Sequence, residues 1–254
     1  MKILKYKKTT KGRYKITFDE ADEITLYEDV IINNNLLLKN DIDLKLLEKV
    51  IDENKKYEAY DNSLSYIEYK LRTEKEIKDY LNKQGFSISL IDQTIERLKE
   101  ENLLNDERYI EAFTNDKINL TLWGPYKIKK SLTNLGIDEN LVNTYVDNVA
   151  NTIWIERLNK VINKKMNLMK NKSLNAIKDK LRVDLYDLGY DSDDISYALS
   201  NLDKDDTEAM KKEMSKAYDK LSKKYEGDAL KYQIKNHLYK KGYKIDFVDL
   251  SDYE

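Results

Sequence analysis

The chain has 254 residues, 36% of them charged and 41% hydrophobic, and its 45 Lys and Arg nearly balance 47 Asp and Glu, so a globally basic nucleic-acid binder is not implied and any such contact must be local. With no cysteine and a single histidine, His237, the sequence excludes disulfides, thiolate metal sites, thiol catalysis and any site that needs two imidazoles. Seven glycines and one proline argue for many helices joined by short connections.

The opening stretch MKILKYKKTTKGRY lacks an apolar core of signal-peptide length, and no window approaches the roughly 18 apolar residues of a membrane span. The chain reads as cytoplasmic. RYKITFD (13–19) alternates Tyr14, Ile16 and Phe18 with polar residues. KILKYKK and EITLY flank it, the first joined through Lys11 and Gly12, so a small antiparallel sheet is predicted. The spacing then turns helical through Leu44, Leu47, Val50 and Ile51. This N-terminal, β-containing module is bounded at residues 1–54.

The remainder repeats. Gly85, Gly136, Gly189 and Gly242 are 51, 53 and 53 residues apart. Eight residues before each stands Ile77, Ile128, Leu181 or Ile234, and four before it Leu81, Leu132, Leu185 or Leu238, on one helix face. One residue after the glycine comes Phe86, Ile137, Tyr190 or Tyr243, and six after it Ile91, Val142, Ile195 or Val248. The glycine fits a helix C′ position, where the backbone turns left-handed and a Cβ would cost roughly 1 kcal/mol or more. Ser87, Asp138 and Asp191 are placed to cap the following helix; the fourth copy has Lys244 there, with Asp246 as a later cap and Asp252 where an apolar residue is expected.

Thr73 and Glu76 form a capping-box pattern, Gly124-Pro125 supplies an N-cap and a first-turn proline, and Ser173 opens the corresponding helix of the third copy. Further amphipathic segments near 55–70, 106–121, 151–170 and 207–225 complete each copy as three helices. The predicted fold is mainly α: about four three-helix repeats, at 55–104, 105–150, 151–203 and 204–254, forming an elongated array behind the small sheet.

Reaction chemistry finds little support. The carboxylates of DSDD (191–194) fall where a helix starts and suit its positive dipole end, and as a calcium loop the stretch lacks the required glycine and distal glutamate. There is no Walker loop or dinucleotide fingerprint, so no cofactor is expected. His237 reads as a surface or partly packed residue. Most of the 20 tyrosines, Tyr80 and Tyr145 among them, read as core-edge side chains with a wet hydroxyl.

Charge is uneven along the chain: residues 111–172 carry ten basic and six acidic side chains, and 173–205 four basic and eight acidic. Lys127, Lys129 and Lys130, then Lys160, Lys164 and Lys165, with Lys170 and Lys172 beyond, form a basic face suited to an acidic protein surface or to DNA phosphate.

The segment YIEYKLRTEKEIKDYLNKQGFSISLIDQTIERLKEENLLNDERYIEAF (66–113), followed by GPYKIKKSLTNLGI (124–137), resembles the RecX family of RecA regulators. The likeness lies in RTEKEI…L…GF, LNDERY…AF and GP…I…L…GI, in that order. The resemblance implies a protein that is not an enzyme, binds the RecA filament and restrains its ATPase, strand-exchange and co-protease activities in recombination, repair and the SOS response. It also implies that Lys70 and Arg72, before the capping-box helix, are partner contacts. A secondary contact with DNA, no membrane contact and a monomeric state complete the expectation. The alternative from a different class is an autonomous DNA-binding module of helix-turn-helix-like units.

Overall fold

The computed structural model describes residues 1–10, 12–19 and 22–245. Strands β1 (Ile3–Lys8), β2 (Arg13–Phe18) and β3 (Glu23–Tyr27) form the expected antiparallel sheet in the order β1-β2-β3. Alternation along β2 puts Ile16 and Phe18 on one face, both fully buried, as a period of two requires of a half-buried strand. Gly12 takes the left-handed backbone of the first hairpin, φ 66; Lys11 lies outside the described residues.

Helix α1 (Glu28–Asn33), a 3-10 turn (Leu36–Leu38) and the start of α2 (Leu44–Glu68) cover that face. Val30, Ile31, Leu36, Ile42 and Val50 pack there with Ile16, Phe18 and Leu26. Helix α2 runs unbroken across the boundary drawn at residue 54, because no glycine or proline interrupts its 25 residues. Val50 serves the sheet core and Ala59 the first helical copy.

The first copy packs α2 with α3 (Glu74–Lys83) and α4 (Ile88–Glu100). The second comprises α5 (Asp106–Leu120), α6 (Pro125–Asn134) and α7 (Glu139–Asp147), and the third α8 (Asn151–Leu168), α9 (Leu174–Asp187) and α10 (Ser192–Ser200). The fourth shows α11 (Thr207–Leu221) and α12 (Gly227–Lys240). Its expected third helix, with Asp246, Val248 and Asp252, lies outside the described residues.

The repeat pattern sets the cores. Ile77, Leu81, Ile128, Leu132, Leu181, Leu185, Ile234 and Leu238 are all completely buried. The four glycines sit at φ 82 to 86. At three of the turns the following aromatic amide donates back to the repeat leucine or its equivalent: Phe86 N to Leu81 O at 3.3 Å, Tyr190 N to Leu185 O at 3.2 Å and Tyr243 N to Leu238 O at 3.1 Å. That bond and the inward-folded ring define a Schellman stop.

Caps follow the sequence with one correction. Thr73 and Glu76 make a full capping box; Asp138 accepts from Leu141 N, Asp191 from Asp193 N and Asp194 N, and Ser173 from Ala176 N. Ser87 occupies its N-cap position but makes no side-chain capping bond; its residue is exposed, where water competes for the same first-turn amides.

The chain divides into two compact units, one of Met1–Tyr109 with Leu135–Ile137, the other of Ile110–Asn134 with Asp138–Glu254. Among the described residues no helix is long and apolar enough to cross a membrane.

Candidate partner-binding surface

Successive copies are joined in one way. The last carbonyls of a helix lack intrahelical partners; each joint gives them donors from the start of another helix, side-chain groups at two joints and backbone amides at the third. Thr73 Oγ1, opening α3, donates to Leu135 O at 3.0 Å. Gly124 N and Tyr126 N, opening α6, donate to Leu188 O at 2.7 Å and Gly189 O at 3.0 Å. Ser173 Oγ and Asn175 Nδ2, opening α9, donate to Lys241 O at 2.6 Å and Gly242 O at 3.0 Å. The glycine turn of each later copy thus lies on the start of the preceding copy's second helix.

Lys70 and Arg72 lie at the junction of α2 and α3. Lys70 Nζ is 3.1 Å from Glu76 Oε1 and its side chain is 57% exposed. Arg72 is only 13% exposed: its guanidinium lies 3.6 Å from the centroid of the Tyr66 ring, its Nε donates to Tyr66 O, and Nη1 reaches Glu76 at 3.3 Å. Tyr66 in turn stacks on Tyr80 with centroids 4.2 Å apart. Arg72 therefore ties the end of α2 to the capping box, while Lys70 offers its charge outward.

Burial pushes the Glu76 carboxyl up, but the Thr73 amide, Lys70 and Arg72 together hold it below the usual carboxylate range. Glu74, at 2.7 Å from both Lys78 and Lys99, is lowered by those hydrogen bonds. A depressed folded value contributes stability above the unfolded value and loses it as pH falls through the folded one. Asp106, raised by burial and by Glu74, works in the opposite sense. The urea midpoint is therefore expected to fall between pH 5 and pH 3 through Glu74 and Glu76. The Glu74→Gln/Glu76→Gln chain should show a flatter profile, and an unchanged slope would exclude these groups as its source.

The central lysines are unequal. Lys129 is 2.6 Å from Asp147 and 19% exposed; Lys165 is 2.6 Å from Asp184. Lys127 Nζ donates to Asp187 O and lies over the Trp123 ring. Lys130, Lys160 and Lys164 are exposed and have no ion pair among the described residues. Lys160 and Lys164, four residues apart on α8, share a helix face. His237 pairs with Glu213 across α12 and α11, Nε2 to Oε1 2.9 Å.

Arginine carried a signal that lysine masked. The chain has six arginines against 39 lysines, and four of the six use the planar fork. Arg13 covers Tyr27, Arg72 covers Tyr66 and Arg97 covers Tyr60. Arg157 donates to the carbonyls of Lys117, Ile118, Thr121 and Trp123 at the end of α5.

Comparison with known proteins brings in relatives along the whole chain. The model of the first three-helix domain of RecX matches residues 59–98, and that of the second matches 105–145. The regulatory protein RecX of Streptococcus agalactiae serotype III (strain NEM316) is 31% identical over 98% of this chain and 97% of its own length. That of Staphylococcus haemolyticus (strain JCSC1435) is 29% identical over 96% and 93%. Among solved structures, a regulatory protein RecX superposes with a TM-score of 0.67 at 23% identity, covering 79% of this chain and 99% of that one. RecX from Lactobacillus salivarius gives 0.55 at 26% identity, over 58% and 96%.

Proposed function

Because the chain belongs to the RecX family of regulatory proteins, we propose that it binds the RecA nucleoprotein filament and inhibits its ATPase, strand-exchange and co-protease activities, as a regulator without catalysis of its own. The observation that carries this reading is similarity to a curated regulatory protein over 98% of the chain, N-terminal module and helical copies together, rather than at one motif. Helical copies joined in series offer recurring exposed faces, which suit a partner that itself repeats.

Purified chain added to RecA on single-stranded DNA with ATP should bind and slow hydrolysis; absence of both effects rejects the reading. Within it, Lys130, Lys160 and Lys164 are the central contacts, since their charges are exposed and unspent on internal ion pairs among the described residues. Reversing all three to glutamate should weaken inhibition about tenfold with helicity intact; unchanged inhibition removes them from the binding face. The same three charges support a secondary contact with DNA, whose signature is recombinase-independent binding that falls steeply with salt. Binding of that kind as tight as binding to the filament would favour an autonomous DNA-binding module instead.

A further inference from the structure

Each joint between copies needs a glycine turn on one side and a helix start on the other. Three turns are used in this way, and the first, at Gly85, is not. Among the described residues no hydrogen bond reaches the carbonyl oxygens of Gln84 or Gly85, the counterparts of Leu188 O and Gly189 O. A Cβ built on Gly85 meets nothing within 4 Å, whereas on Gly136, Gly189 and Gly242 it would come within 2.9, 2.4 and 2.8 Å of the docked helix start. Beside the open turn runs a groove lined by Asp52, Lys55 and Asn62 of α2 and by Phe86, Ser89 and Gln93.

We propose that the Gly85 turn is a docking point for the recombinase and receives the first turn of a partner helix that opens with serine or threonine; this rests on the RecA reading above. The three internal joints define the chemistry of the occupant. Two bare carbonyls at the negative end of α3 call for hydroxyl and amide donors at the positive end of another helix. Thr73 and Ser173 supply the hydroxyl at two of the three joints, and the amides of Gly124 and Tyr126 serve at the third.

A second copy of the chain fits poorly. Its open second-helix start is that of α12, whose N-cap is Glu226 without a side-chain capping bond. A carboxylate set against two carbonyl oxygens has no proton to donate.

The test uses the full-length chain with Gly85→Asn. Asparagine tolerates a positive φ, and its Cβ enters open space, so the fold should be kept while close approach is blocked. Ser89→Arg, which fills the groove from an exposed helical position without touching the turn, is the second variant. Binding to RecA on fluorescent single-stranded DNA is read by anisotropy, folding by circular dichroism, and self-association by sedimentation.

Both variants should fold and bind at least about tenfold more weakly, the scale of two lost hydrogen bonds. If the unaltered chain does not bind, the RecA reading itself fails. If it binds and the folded variants bind equally well, the Gly85 site is overturned and the RecA reading stands. Self-association abolished by both variants would identify the occupant as a second copy and overturn the assigned partner.

Discussion

Gly189→Ala is expected to lower the melting temperature of the helical signal by on the order of 10 °C, more than alanine at any other repeat glycine. Two costs coincide at this position. Its φ of 85 is a conformation in which a Cβ costs roughly 1–2 kcal/mol. The added carbon would also stand 2.4 Å from the backbone nitrogen of Lys127 and 2.6 Å from its Cβ, and a backbone contact of that kind yields only by separating the two elements, at about 1–3 kcal/mol. The sum is about 2–5 kcal/mol, and a chain of this size loses about 2–4 °C per kcal/mol.

Two neighbouring substitutions separate the costs. Gly124 has no positive φ, yet a Cβ there would lie 2.5 Å from Gly189 O; Gly124→Ala therefore carries only the cost of approach. Gly85→Ala carries only the cost of φ, because its Cβ enters open space. The expected order of damage is Gly189, then Gly124, then Gly85. Equal losses at Gly85 and Gly189 would mean that the joints between copies add nothing to stability.

The same comparison explains what was legible in the sequence. The helices, their glycine stops and the buried leucines could be read because each is written locally: Leu81 to Gly85 is one turn of helix. The sheet was legible for the same reason, through the alternation of Tyr14, Ile16 and Phe18. The joints were not, because Thr73 meets Leu135 and Ser173 meets Lys241 across 62 and 68 residues, and nothing local marks a pair so distant. Gly124 was legible as a cap, but not as the partner of Gly189.

The basic face shows a second limit. By position along the chain alone, Lys129 and Lys165 are indistinguishable from Lys130 and Lys160. In space, Asp147 and Asp184 neutralise the first two, and Asp184 comes from the stretch that was counted separately as acidic. The long α2 shows a third: the boundary drawn at residue 54 falls inside a helix that serves the sheet core through Val50 and Tyr57 and the first helical copy through Ala59.

Arg157→Ala is expected to lower the urea midpoint by the equivalent of about 3 kcal/mol, and Arg157→Lys should recover less than half of it. The end of α5 leaves carbonyls that no later turn of helix can satisfy, although Lys117 O already accepts from Thr121 N and Thr121 Oγ1. The guanidinium closes on them, donating to Thr121 O at 2.7 Å, to Lys117 O and Trp123 O at 3.3 Å, and to Ile118 O. Hydrogen bonds from a charged donor contribute about 1.5–3 kcal/mol each at best, and several made by one group at a partly exposed site add up to less than their sum. A lysine places a point charge at the same helix end but lacks the planar fork that reaches several oxygens together. Full recovery by lysine would show that charge alone holds the site. Because Lys160 and Lys164 ride on the same helix within two turns of Arg157, its loss should also weaken filament inhibition, whereas reversing those lysines should leave the urea midpoint nearly unmoved. The two sets of variants thereby separate the positioning of the basic face from the contact proposed for it.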